Sequence, residues 1–243
     1  MIRHMFFVSG LVALASFGCA TKSSSSLGTD QVAPVFEVRV DTVASGPSTF
    51  ISAVMNQSGG ALSRVKLADG DVLSAHTDKD ASLAFSYSDS LQVYSVTLDK
   101  VTDRTSVTIS LARASGTAAP GSTVQLPAAL ALRTPTAKAQ VSYGGGAGAL
   151  PVAWSDALGG ATVTFFTSPC NGGALSTKDL HAADTGSYSI GAADLLTGPP
   201  PAAGQCVTIK IVRSVAGTVD PAFAPKSTFT ASRADYVDVT VVP

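Results

Sequence analysis

The stretch LQVYSVTLD, Leu91–Asp99, decides the fold class. Its alternate positions put Gln92, Tyr94, Val96 and Leu98 on one face and Leu91, Val93, Ser95 and Thr97 on the other, because a strand turns successive side chains to opposite sides. A half-buried strand follows. The same period of two runs through VFEVRVDTV (Val35–Val43), SVTISLAR (Ser106–Arg113), CVTIKIVR (Cys206–Arg213) and DYVDVTVV (Asp235–Val242). Weaker versions occur in STFISAVMN (Ser48–Asn56), ASLAFSYS (Ala81–Ser88), ATVTFFT (Ala161–Thr167) and GSYSI (Gly186–Ile190).

Turn formers separate these segments: NQSGG at Asn56–Gly60, ADGD at Ala68–Asp71, TDKD at Thr77–Asp80 and TGPPPAAGQ at Thr197–Gln205. Strands recurring at such short intervals predict sandwiches and leave no room for helical crossovers. Composition agrees. Glu37 is the only glutamate, so nearly all the acids are aspartates, which favour turns and caps over helix interiors. The predicted class is all-β, as two consecutive immunoglobulin-like β-sandwiches. Pro135, in LRTPTAK (Leu132–Lys138), interrupts the pattern and divides the chain into expected units at 33–133 and 134–243.

Charge argues against nucleic acid. Lys+Arg 16 and Asp+Glu 17 are dispersed along the chain, with no basic patch to neutralise phosphates.

The N-terminus has another character. Arg3 and His4 precede the apolar run MFFVSGLVALA (Met5–Ala15), which is long enough for an export signal and too short to span a bilayer. Gly18 then precedes Cys19, and four consecutive serines, Ser23–Ser26, follow shortly after. This pattern resembles a bacterial lipoprotein signal. The resemblance implies a signal peptide over 1–18, lipidation of Cys19, a flexible polar tether over 19–32, and localisation in the cell envelope, anchored to the outer membrane. Ser16 and Phe17 stand where the family usually has leucine and a small residue, so ordinary cleavage near Ala15 or Ala20 stays open. With Cys19 consumed by lipid, Cys170 and Cys206 remain as an even pair delivered to an oxidising compartment, and a disulfide between them is expected.

DTGSYSI, Asp184–Ile190, is similar to the D-x-G-x-Y corner of immunoglobulin-like domains through Asp184, Gly186 and Tyr188. The resemblance implies a tyrosine hydroxyl capping a backbone carbonyl. Ile190 occupies the position of the usual bridging cysteine. Trp154, the only tryptophan, lies in the apolar LPVAWSD and is expected in the core, although a sugar-stacking platform is the alternative. The second unit as a whole resembles the immunoglobulin and fibronectin-like modules of bacterial surface lipoproteins.

Candidates for catalysis are few. His76 and His181 are the histidines beyond the signal, with no G-x-S-x-G elbow and no H-E-x-x-H helix around either. YGGGAGAL lacks the G-K-[ST] ending of a phosphate-cradling loop. The acidic segment DGDVLSAHTDKD, Asp69–Asp80, invites a calcium reading, but a strand between its two turns would hold the carboxylates too far apart. No metal, no cofactor and no enzymatic role are therefore expected. The expected function is a structural or adhesive binding module with an envelope protein or glycan as partner. The alternative is an all-β hydrolase or metal-dependent enzyme using His76 or His181 with neighbouring aspartates.

Overall fold

The computed structural model describes residues 21–43, 46–59, 63–78, 80–99, 103–142, 150–157, 162–170, 180–191, 204 and 206–242. Among them the strands, in chain order, begin with β1 (Lys22–Ser23), β2 (Val32–Val43), β3 (Gly46–Gln57), β4 (Val65–Lys66), β5 (Val72–Thr77), β6 (Leu83–Ala84), β7 (Ser86–Ser88), β8 (Val93–Asp99) and β9 (Ser106–Ala112). They continue with β10 (Ala119–Gln125), β11 (Leu132–Thr134), β12 (Gln140–Ser142), β13 (Leu150–Trp154), β14 (Thr162–Pro169), β15 (Leu180–Ala183), β16 (Ser187–Ile190), β17 (Cys206–Ala216) and β18 (Thr228–Val242). Helical structure among the described residues is limited to two 3-10 turns, Ser24–Ser26 and Thr29–Gln31. The chain is all-β.

One sheet runs the length of the molecule, in the order β15, β14, β17, β18, β2, β3, β8, β7. Two smaller sheets cover it at different places: β10, β9, β5, β6 over one half and β11, β13, β16 over the other. Two sandwiches result, each with its own core. In the first, Phe36, Val38, Ile51, Tyr94 and Leu98 from the long sheet meet Leu73, Ala75, Val107, Ile109 and Leu111. In the second, Val163, Phe165, Ile209 and Ile211 meet Val152, Trp154 and Ile190. The inward residues of β8 are those that the alternation in LQVYSVTLD picks out.

The cores meet along β17 and β18. Val207, Ile209, Val237 and Val239 belong to the second core, whereas Phe229 and Ala231 are buried in the first. β18 makes this possible by pairing with β17 along one edge while its other edge pairs in parallel with β2 (Thr228↔Val35 to Arg233↔Val40) and later with β12 (Gln140↔Thr240). Between β17 and β18 the chain crosses the first sandwich. Gly217 fits there because a Cβ would stand 2.5 Å from the Thr123 carbonyl oxygen.

Where the units join, Arg213 is completely buried. Its Nε donates to Asp184 Oδ2 at 2.6 Å, Nη1 to the carbonyls of Ala128 (3.2 Å) and Ala129 (3.4 Å), and Nη2 to those of Ser155 (2.9 Å) and Asp156 (2.7 Å). The other oxygen of Asp184 accepts from Trp154 Nε1 at 2.6 Å. The D-x-G-x-Y corner thus supplies a buried anion. Gly186 is left-handed with φ of 88°, and its carbonyl accepts from the Trp154 backbone at 3.0 Å. Trp154 is a core residue, edge-on to Phe165, and the Tyr188 ring stacks on Phe165 with centroids 5.1 Å apart.

The sequence predicts a flexible tether over 19–32, and the structure differs from Lys22 onward. β1 pairs in parallel with β4, and Ser24 and Thr29 are buried against the first sandwich. A polar segment can dock without apolar surface when its groups find buried partners, and these are described below.

Cys170 and Cys206 are joined by a disulfide, 36 residues apart in sequence, at the end of the second sandwich away from Arg213.

Two stability predictions arise. Arg213→Met strands the Asp184 carboxylate in the interior and is expected to lower unfolding free energy in urea by about 3–5 kcal/mol. The double variant Arg213→Met with Asp184→Leu should recover part of that loss, and additive losses would contradict the coupling. Reducing the disulfide should cost about 4 kcal/mol on the chain-entropy account, read as a lower urea midpoint in dithiothreitol. Two thiols at these positions open to alkylation in the unfolded, unreduced protein would contradict the pairing.

Candidate functional site

The acidic segment contains the strand its spacing suggests: β5 separates Asp71 from Asp78, and each end has its own partners. Asp71 is buried with Arg113, whose Nε lies 2.9 Å from Asp71 Oδ2. The Ser24 hydroxyl donates to the same oxygen at 2.6 Å and accepts from the Ala68 backbone at 2.7 Å. Asp71 Oδ1 accepts from the Ala114 backbone at 2.9 Å. The Nε contact is an ion pair without a hydrogen bond, and the Nη groups donate to the N-terminal segment, Nη2 to the Ser24 carbonyl at 2.7 Å and Nη1 to Thr29 Oγ1 at 3.1 Å. At the other end, the Asp80 carboxylate accepts from the Thr77 hydroxyl at 2.8 Å.

Above Asp71 lies a cleft of about 320 Å³, lined by Lys66–Leu73, Ala84, Phe85, Tyr87 and Tyr94. A shallower depression continues from it over Thr21–Ser23. The rings of Tyr87 and Tyr94 are 4.6 Å apart. Lys66 Nζ stands 4.8 Å over the Tyr87 ring and 2.7 Å from Asp89 Oδ1. That carboxylate, through its hydrogen bond first, raises the Lys66 pKa above its ordinary value.

Tyr94 is held by packing. Its hydroxyl accepts from the Leu67 backbone at 2.6 Å, and burial outweighs this to push its pKa up to about 12. Burial also raises that of Tyr87. The exposed chemistry of the cleft is the Tyr87 ring, the Lys66 ammonium and the Asp69 carboxylate, with Asp89 beside it as the partner of Lys66. Such a set can bind polar or amphipathic ligands by stacking and hydrogen bonding.

Neither histidine lines the cleft. His76 sits on β5 opposite Thr108 in the first sandwich, whereas the His181 backbone pairs with Thr164 in the second. The two are in different units, and the His181 side chain lies outside the described residues. Cys19 also lies outside them. Cys170, Cys206 and Asp238 approach one another, but a disulfide sulfur is no thiolate ligand. Sequence reasoning missed the roles of Ser24, Asp71 and Arg113, whose partners are far apart in the chain.

No protein-family profile matches the chain, and no curated protein matches it. Solved structures similar to it include a two-domain fibronectin type-III segment of chicken tenascin (12% identity, 85% of this chain and 98% of that one, TM-score 0.23). Another is Dpr11 IG1 bound to DIP-gamma IG+IG2 (8% identity, 86% and 99%, TM-score 0.24). A third is CBD12 of CALX1.2 (12% identity, 84% and 100%, TM-score 0.22). The immunoglobulin-like sandwich architecture is defined by the sheets and cores above, not by these superpositions.

Tyr94 gives a pH prediction. Its folded pKa exceeds the ordinary tyrosine value of about 10, so the fold favours the neutral phenol, and the associated stability is intact below that pH. It is lost as pH rises from there through about 12. Urea unfolding across this alkaline window should show a decline that is shallower in Tyr94→Phe. An identical decline in the variant would remove Tyr94 as its source.

Proposed function

We propose that the protein is a lipid-anchored binding module of the cell envelope, held in the outer membrane by acylated Cys19 and engaging an envelope protein or glycan through its sandwiches. The observation that carries this reading is the N-terminal pattern, the apolar run Met5–Ala15 followed by Gly18 and Cys19, ahead of two β-sandwiches. An export signal followed by a cysteine and then a segment fixed to the fold suits a protein presented from a surface.

The cleft beside Tyr87 and the strands β7 and β15, which edge the long sheet among the described residues, supply the kinds of surface that binding modules use, stacking faces and sheet edges. No catalytic chemistry is assigned: the cleft contains Asp69 and Asp71 without a histidine, and Asp71 is committed to Arg113.

The anchoring is tested by mass spectrometry of protein extracted from membranes, which should find an acylated N-terminus at Cys19. Cys19→Ala should leave the protein in the soluble fraction. Intact wild-type protein that is soluble and cleaved elsewhere would refute the anchor. Crosslinking on intact cells, followed by identification of the captured partner, tests the binding role.

A further inference from the structure

The anchoring of Cys19 proposed above, on which the following rests, has a geometric consequence because the chain is fixed so soon after it. Lys22 donates its backbone N–H to the Arg64 carbonyl at 2.8 Å and pairs with Val65, and Ser24 is buried. Thr21 Oγ1 accepts from Gln92 Nε2 at 3.1 Å. Two peptide units separate Cys19 from Thr21, so their Cα atoms can be no more than about 7 Å apart. An acyl anchor on Cys19 therefore brings the bilayer to one particular end of the first sandwich.

That end is made by β1, β4 and the turn between β7 and β8. The turn presents Leu91, 56% exposed. Exposed Lys22 and Lys66 stand on the same end. Asp89 of the same turn pairs with Lys66 at 2.7 Å and Asp69 is exposed beside it, so this end carries both signs of charge with Leu91 as its apolar tip. Such a leucine suits the boundary between lipid headgroups and acyl chains, where an apolar side chain enters. The opposite end of the molecule is given by strand direction. β2 starts at this end with Val32, and β18 runs parallel to it and onward into the second sandwich. Its fifteen residues, Thr228–Val242, span roughly 45–50 Å along the strand.

We propose that the Leu91 end of the first sandwich rests on the phospholipid surface, with Leu91 entering the interface. The second sandwich is thereby held at the far end, with its disulfide outermost.

The test uses the acylated protein purified from membranes and reconstituted in vesicles of phosphatidylethanolamine and phosphatidylglycerol. A nitroxide is placed at Leu91→Cys or, for comparison, at Gln140→Cys, an exposed position beside the end of β18. Relaxation by lipid-dissolved oxygen relative to a water-soluble nickel chelate should be several-fold greater at 91 than at 140. Inserting a Gly-Ser spacer between Ala20 and Thr21 should bring the value at 91 down toward that at 140. Equal ratios at the two sites in the acylated protein would overturn the orientation while leaving the anchor intact. A label at 91 shielded from both reagents would place a protein surface there, such as a second copy, and would equally overturn it. Protein without acyl groups at Cys19 would remove the anchor and this orientation together, an outcome that mass spectrometry of the same sample distinguishes.

Discussion

A single guanidinium, that of Arg213, organises the junction of the two sandwiches. It is wholly buried, and it bonds the carbonyls of Ala128 and Ala129, where the chain leaves the first unit. It also bonds those of Ser155 and Asp156, past the end of β13, and the Asp184 carboxylate at the corner before β16. Removing an arginine from water is costly, and the cost is offset only where every donor meets an acceptor at good geometry. That condition links three separate backbone segments to one side chain, so the position of β17 fixes the exit of the first unit relative to the second. The planar fork of arginine can do this and the single point charge of lysine cannot.

A less complete version holds the N-terminal segment, where the Nη groups of Arg113 find acceptors and its Nε does not. Arg113 is paired with Asp71 and bonds the carbonyl of Ser24 and the hydroxyl of Thr29, so a polar segment with little apolar surface packs against the fold. Arg113 directly follows β9 and Arg213 lies within β17, and each binds backbone carbonyls from chain that does not belong to its own sheet. Hydrophobic contacts build each sandwich, and these two charged networks attach what the sandwiches alone would leave loose.

The strands with strong alternation were legible: β2, β8, β9 and β17 fall where the period of two places them, because the buried face of a two-sided strand must be apolar. The same period carried an unread signal. In CVTIKIVR, Arg213 shares its face with Val207, Ile209 and Ile211, so a charge on that face implies a buried partner, and Asp184 was already singled out nearby. The first half of β18 was illegible because Ser232 and Arg233 dilute its alternation, and β1 and β4 are too short to show any period. Asp71 read only as a turn carboxylate set apart from Asp78 by a strand, since one sequence does not show the arginine that reaches it from 42 positions away. The cleft was invisible for a similar reason, as its walls come from loops and short strands joined only by tertiary packing.

The sharing of β18 between the cores bears on how the chain can fold as it emerges. Phe229 and Ala231, near the C-terminus, are buried in the core built by β2, β3 and β8. Synthesis delivers the N-terminal residues first, yet the first sandwich lacks a central strand of its long sheet until Thr228–Arg233, far along the chain from β2, arrive. Its closing contacts are separated by nearly the whole length of the chain, an arrangement that slows folding because the loop must be closed before those contacts reward it. The first sandwich is thus kept from completing its structure until β18 is in place, so its closure waits on the strand that the second sandwich also needs.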